Sequence, residues 1–298
     1  MAWRGVHVSQ RCRLSLDNGC CLVETEAGPI RLAFEDIAYV VLDTPQVGLT
    51  SAVLAALAEA KVLVLVSDAR HLPTGALLPL QGHFRQVGTL RRQIAAADGL
   101  KRRLWQALVR AKLVNQGAVL DTLGRRSGPA LSAMAERVAS GDPENLEGQA
   151  AREYFSRLFE GFRRRRDGDV RNAMMNYGYA IVRAAIARDL AAQGFHPALG
   201  LWHDSVENAF NLADDLIEPL RPVVDLAVVR RLEARDPDDG EELTIDDRRS
   251  LAGVLTLDVA LGGECLAMMH AIERMCDGLL AALTSKSPER LPLPGLRA

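Results

Sequence analysis

The sequence predicts an α+β protein, with a small β-rich amino-terminal domain followed by a larger all-α domain. Three observations carry that prediction. Short β-prone segments, separated by turn dipeptides, crowd the first 75 residues. A stretch rich in turn residues, DARHLPTGALLPLQG at 68–82, then breaks the pattern. Beyond it the composition is helical almost to the end, interrupted only by Gly- and Pro-containing turns. The boundaries are set at 1–75 and 76–286, with the Pro-rich 287–298, SPERLPLPGLRA, expected to be a flexible tail.

Composition bounds the possibilities. The chain has 298 residues, 48% of them hydrophobic and 25% charged, ample for a buried core. A formal net charge of −2 gives no global signal for nucleic acid, so any such surface must be local. The five cysteines show no CxxC spacing, which argues against structural zinc and a disulfide framework and for reduced thiols. The start MAWRGVHVSQ lacks a signal-peptide core, and no apolar run reaches membrane-spanning length. These features read as a soluble, intracellular protein with no membrane association.

The elements follow in order. Residues 6–8, 13–16, 20–24, 30–34 and 38–42 are strand-like, and Asn18-Gly19 between two of them is a hairpin signal. A helix at 50–60 is capped by Thr50 or Ser51, and KVLVLVS at 61–67 reads as a buried strand. His7 and His71 are isolated and read as structural or merely exposed. Residues 83–136 are helical, and between 101 and 126 seven basic residues face one acid. Such a run is usually a solvated face, and alone it is weak evidence for phosphate binding. After a turn at 140–143, Asn145 can cap the helix LEGQAAREYFSRLFEGF, which places Glu147 in a first turn, where the helix dipole alone would favour a carboxylate. Arg163, Arg164, Arg165 and Arg166 follow, then a turn, then a strong helical pattern at 172–190 with Asn172 and Asn176 on one face. The acidic stretch 233–247 reads as an exposed tip, and 251–283 as a last amphipathic helical region.

The most chemistry-bearing stretch is LGLWHDSVENAFNLADDLIEPLR, 199–221. His203 precedes a helical pattern carrying Glu207, Asp214, Asp215 and Glu218. On an ideal helix, His203, Asp214 and Glu218 fall within about 60° of one another. Nitrogen plus hard oxygen suits a divalent metal such as Mg²⁺ or Mn²⁺, although a solvated acidic face with a chance histidine fits the same residues.

Several segments in order resemble a known family: the β-rich start, EGQAAREYF, NAMMNYGYAIVRAAI, GFHPALGLWH and ADDLIEPLRPVVD. The set is similar to the CRISPR-associated integrase of spacer acquisition, the Cas "one" family. TPQVGLTSAVLAALAEA, VSDARHLPTG and VRAKLVNQ resemble its type II version. The likeness spans about residues 3–283. It implies that the helical domain is catalytic and that Glu147, His203 and Glu218 ligate Mg²⁺ or Mn²⁺, with Asp215 a further candidate ligand. There motif and wheel disagree, since the wheel prefers Asp214; Pro219 makes an ideal wheel a poor guide, so the motif is followed. The implied reaction is attack of a DNA 3′-hydroxyl on a phosphodiester of a CRISPR repeat, inserting a short foreign DNA; with water as nucleophile the site would be a metal-dependent DNase. Candidate DNA contacts are Lys101, Arg102, Arg103 and Arg163, Arg164, Arg165, Arg166. Tyr154, Asn172, Asn176 and Tyr177 are candidate supports around the ligands, or simple packing between helices. Implied partners are double-stranded DNA, a second copy through the β-rich domain, the companion Cas "two" protein and other type II adaptation proteins, in a prokaryotic cytoplasm. Two alternatives compete: a catalytically idle DNA-binding scaffold of the same fold, and an unrelated helical hydrolase of small phosphate esters, which would need a closed pocket.

Overall fold

The computed structural model describes residues 4–78, 86–162, 164 and 168–297. In its amino-terminal part, strands β1 (Arg4–Val8), β2 (Cys12–Asp17), β3 (Cys20–Thr25), β4 (Gly28–Ala33), β5 (Ile37–Leu42) and β6 (Val47–Leu49) precede helix α1 (Ser51–Glu59). Strands β7 (Leu63–Ser67) and β8 (Pro73–Ala76) complete it. One sheet has the order β4-β3-β2-β6, the other β1-β5-β7-β8. The expected hairpin forms: Asp17 pairs with Cys20 across Asn18 and Gly19, whose φ values of 48° and 76° are the positive pair that such a tight turn requires. Thr50 caps α1 by accepting from the Val53 amide at 3.3 Å.

The β-rich part is not sealed off. All six residues of β5 are buried. Ile37, Val40 and Leu42 join a core with Leu14, Val53 and Leu57, whereas Ala38, Tyr39 and Val41 belong to the helical core. A strand covered on both faces reads as a continuous apolar run, as IAYVVL does. Asp43, at its end, is buried and pairs with His7 (3.1 Å), His71 (2.8 Å) and Arg248 (2.7 Å) of the helical part. The two isolated histidines thus have a structural partner.

The helical part comprises α2 (Gln86–Ile94), α3 (Asp98–Thr122), α4 (Gly128–Arg137), α5 (Leu146–Leu158), α6 (Val170–Ala192), α7 (Asn211–Leu216), α8 (Arg221–Glu233) and α9 (Ile245–Ala252). Then come β9 (Asp258–Leu261), β10 (Glu264–Ala267), α10 (Met268–Ser285) and β11 (Gly295–Leu296). Helix α3 runs through the core, burying Leu104, Leu108, Leu113 and Leu120. No described helix is long and apolar enough to cross a membrane.

Two expectations are corrected here. The helical region 251–283 is interrupted at 258–267 by a β-hairpin, because Gly262 and Gly263, at φ 60° and 85°, turn β9 back into β10. The carboxy-terminal segment is a packed element rather than a flexible tail. Strand β11 pairs antiparallel with β9, Leu291 is buried, and Asn115 of α3 donates to the Pro294 carbonyl and accepts from the Leu296 amide. Proline richness hid this, since the partners lie far away in sequence.

Candidate active site

Three elements converge beside α3. The first is the start of α5. Asn145 adopts φ 51° and caps the helix by accepting from Gly148, while Asp142 accepts the Leu146 and Glu147 amides at 2.9 Å each. These bonds satisfy the free amides of a helix start and fix where Glu147 leaves it.

The second is the turn between α7 and α8. Pro219 ends the regular helix, and Glu218–Leu220 tightens into a 3-10 turn. Asn115 donates to the Pro219 carbonyl at 2.7 Å, so α3 pins this turn together with the carboxy-terminal strand. Glu218 is buried; its Oε1 accepts from Arg221 at 2.8 Å and its Oε2 lies 2.5 Å from the Lys112 ammonium. Lys112 also pairs with Glu147. The two glutamates, over seventy residues apart, therefore meet at one positive charge. Burial alone would raise the Glu218 carboxyl, but Arg221 and Lys112 outweigh it and hold the group down at about 2. Burial would likewise lower the Lys112 ammonium, and Glu218 and Glu147 more than reverse that.

The third element is the loop leading to α7. Residues 199–210 are not helical, so the wheel that grouped His203 with Asp214 does not apply. His203 is set by Asp215 instead. Asp215 is fully buried, and its Oδ2 accepts the amides of Leu201 (2.5 Å) and Trp202 (3.1 Å). Its Oδ1 accepts the His203 amide (3.1 Å) and the His203 Nδ1 (2.7 Å). Gly200 is required at this approach, because a Cβ there would stand 2.2 Å from the His203 carbonyl oxygen and 2.9 Å from Asp215 Oδ2. The Asp215 hydrogen bond raises the His203 pKa, and Glu218 adds to the rise through its charge. With Nδ1 held, Nε2 is the nitrogen available to a ligand, and 42% of the side chain is open. Both Asp215 oxygens are committed to these bonds, so Asp215 holds His203 in place.

The remaining candidates divide. Arg164 donates to Asn172 (2.7 Å) and Asn176 (2.8 Å), and its guanidinium lies over the Tyr179 ring, as does that of Arg221. The two asparagines thus hold Arg164, which shares the Tyr179 ring with Arg221, the partner of Glu218. Tyr154 is buried near Asp225, which Tyr179 also bonds. Burial pushes the Asp225 carboxyl up to about 6 against those hydroxyls. Tyr177 is buried on the side of Tyr39, Asp43 and Arg248. Arg102 and Arg103 are exposed near the start of α3, with Lys101 half-buried beside them. Arg163, Arg165 and Arg166 lie outside the described residues. Glu207 is in the loop, while Asp214 accepts from Asn208 and adds its charge to the rise at His203.

Sequence reasoning missed Lys112, Arg221 and Asp225. Lys112 interrupts the apolar stripe of α3 between Leu108, Val109 and Leu113, which is a legible signal for a buried, paired cation. Arg221 stands three residues after Glu218, the spacing of a helical ion pair.

The donor set bears on metal binding. Two carboxylates directed at one cation, beside an imidazole with a carboxylate behind it, suit Mg²⁺ or Mn²⁺ by chemistry. Among the described residues, however, no three His, Cys, Asp or Glu side chains are gathered into a metal cluster. A cation held by the two glutamates would take the place of the Lys112 ammonium, and His203 is near enough to feel the Glu218 charge.

An α+β chain with a carboxylate and imidazole centre open to solvent has the makings of a phosphodiester-processing protein. A family model described as CRISPR associated protein Cas1 matches residues 6–242. The CRISPR-associated endonuclease Cas1 of Neisseria meningitidis serogroup C (strain 8013) is 37% identical over 300 residues, 99% of this chain and 96% of that one. A casposase bound to its integration product has a similar fold, with a TM-score of 0.76 at 22% identity over 96% of this chain and 92% of that one. A chain from a partial Cas6-RT-Cas1–Cas2 complex gives 0.66 at 18% identity, over 98% of both. The chain belongs to the CRISPR-associated Cas1 family.

Proposed function

We propose that this chain is a metal-dependent DNA integrase and endonuclease that inserts short foreign DNA into a CRISPR array. The observation that carries the reading is the meeting of Glu147 and Glu218 at one cation position beside His203. Glu147, His203 and Glu218 would hold Mg²⁺ or Mn²⁺. When bound, the ion would polarise a phosphodiester oxygen and offset the charge that develops on it.

The chain's own residues supply position and field. In the reaction, a DNA 3′-hydroxyl attacks a phosphodiester of the repeat. A new phosphorus–oxygen bond forms, the old one breaks, and the displaced strand leaves with a 3′-hydroxyl. One phosphodiester replaces another, so no external energy source enters, and alignment of the two DNAs is most of the task. Asp215 keeps the His203 ring in one orientation, and Arg221 and Lys112 keep Glu218 ionised throughout the physiological range. Glu147 and His203, at 30% and 42% side-chain exposure, open to solvent as a DNA substrate needs and a closed small-ester pocket would not.

The family, its endonuclease relative, the casposase with its integration product and the Cas1–Cas2 assembly support double-stranded DNA as substrate and the companion Cas2 protein as partner. A homodimer built through the β-rich part, and contacts with further type II adaptation proteins, belong to the same proposal. The test is strand transfer of a short duplex into a repeat-bearing plasmid, with and without Cas2 and with Mn²⁺ or EDTA. Metal-dependent joined product supports the reading. DNA binding without joined product in any metal supports the idle scaffold instead.

A further inference from the structure

Trp202 is held in an unusual way. Its indole stacks on Trp105, with ring centroids 5.6 Å apart and planes 4° apart, yet 45% of the residue is exposed. Trp105 is buried and meets the His203 ring edge-on at 5.5 Å. The exposed indole is therefore backed by a fixed ring, and the residue next in the chain is His203. On its flank is Arg102: a Cβ placed on Gly141 would stand 3.5 Å from both the Arg102 Cδ and the Trp202 Cζ3. The Arg102 carbonyl also accepts the Gly141 amide at 3.3 Å. An aromatic platform and an exposed guanidinium thus share one ledge beside the site.

We propose that this ledge is a base-stacking subsite, which receives the terminal nucleobase of the DNA strand whose 3′-hydroxyl reacts, with Arg102 on that strand's backbone. The inference rests on the reading of the chain as a DNA integrase. A flat, exposed aromatic ring beside a cation is the recurring means of holding nucleic acid without reading sequence. Within a duplex both faces of every base are covered by neighbours, so a single indole can stack only on an end or an unpaired base. The proposed reaction brings one end to His203, the end with the attacking 3′-hydroxyl. Base and 3′-oxygen belong to the same nucleotide, while Trp202 and His203 are consecutive residues with Cα atoms about 3.8 Å apart. Stacking the base therefore delivers its hydroxyl to the site. Indole has one donor and no acceptor, so the subsite tolerates any base.

The test uses a short duplex with 2-aminopurine at the 3′-terminal position and a fluorescein on the opposite end, with full-length protein in EDTA. Wild-type protein should quench the 2-aminopurine on binding, and should not quench a probe placed in the duplex centre. Trp202→Ala should abolish the quench and weaken binding by roughly tenfold, in the range of losing one stacked base. Trp202→Phe should keep most of both, which guards against a folding defect in the alanine variant. Equal quenching by wild type and Trp202→Ala, or quenching of the central probe alike, would overturn the subsite. If that happens while wild-type strand transfer proceeds normally, only the subsite fails. Absence of DNA binding by the wild type would overturn the integrase reading and the subsite together.

Discussion

His203 Nδ1 lies 2.7 Å from Asp215 Oδ1, and the same oxygen accepts the His203 amide. One buried carboxylate therefore fixes both the ring and the backbone of the histidine. The hydrogen bond stabilises imidazolium, so the His203 pKa stands above the ordinary 6.5. This contribution to stability is full below about 6.5 and is lost as pH rises through the elevated folded value. In EDTA, an NMR titration of His203 should show its midpoint above 6.5, moving down in Asp215→Asn. The same variant should lose roughly 10- to 100-fold in metal affinity or strand transfer, the usual cost of losing such a support. An unmoved midpoint would mean that Asp215 does not set the ring.

Lys112→Met removes the charge shared by Glu147 and Glu218. Leaving Glu218 buried with Arg221 alone should cost about 3 kcal/mol in EDTA, measured by urea denaturation. Ammonium and dication would compete for the same oxygens, so Mn²⁺ should bind this variant more tightly by calorimetric titration. Unchanged stability and unchanged Mn²⁺ affinity would show that Lys112 is a bystander.

How much of the molecule is legible in sequence depends on locality. The Asn18-Gly19 hairpin, the Thr50 cap and the cap at Asn145 rest on neighbouring residues, and sequence reading finds all three. It also finds the doubly buried run 38–42 as a strand, although not its role in joining the two cores. Lys112 escapes notice because a basic residue among seven reads as surface until its place on the buried face with Leu108, Val109 and Leu113 is seen. The His203 wheel fails because Gly200 and Asp215 shape a loop, which no periodicity describes. The terminal strand is missed because Asn115, which holds it, is nearly 180 residues away. Glu147 can be tied to Glu218 only through the family resemblance, since that pairing has no local signature.

Asp225 gives a prediction about pH. Burial raises its carboxyl from 3.8 to about 6, so the folded state prefers it protonated. Stability from this group is full below about 4 and is lost as pH rises to 6, a swing of roughly 3 kcal/mol. Asp225→Asn should flatten that part of the stability profile and equal or exceed wild-type stability at about pH 8. Melting temperatures from about pH 4 to 8 check it; parallel curves for the two proteins would contradict it.

The basic residues should separate by salt dependence. Arg164 is committed to Asn172, Asn176 and Tyr179, whereas Arg102 and Arg103 are exposed. Neutralising Arg102 and Arg103 together should lower the slope of log K against log salt by about 2, near one for each phosphate left without its cation. Arg164→Ala should leave that slope unchanged while loosening the packing of Tyr179 on Arg221. Equal effects from both sets would place Arg164 on DNA.

The central claim is that Glu147, His203 and Glu218 act as one divalent-cation site for joining DNA. The most direct measurement is Mn²⁺-dependent strand transfer by purified Glu147→Gln, His203→Ala and Glu218→Gln proteins, each first shown by circular dichroism to be folded. Loss of product by roughly 100-fold or more in all three, with duplex binding in EDTA retained, is the predicted result. Near-normal strand transfer by any one of the three would contradict it.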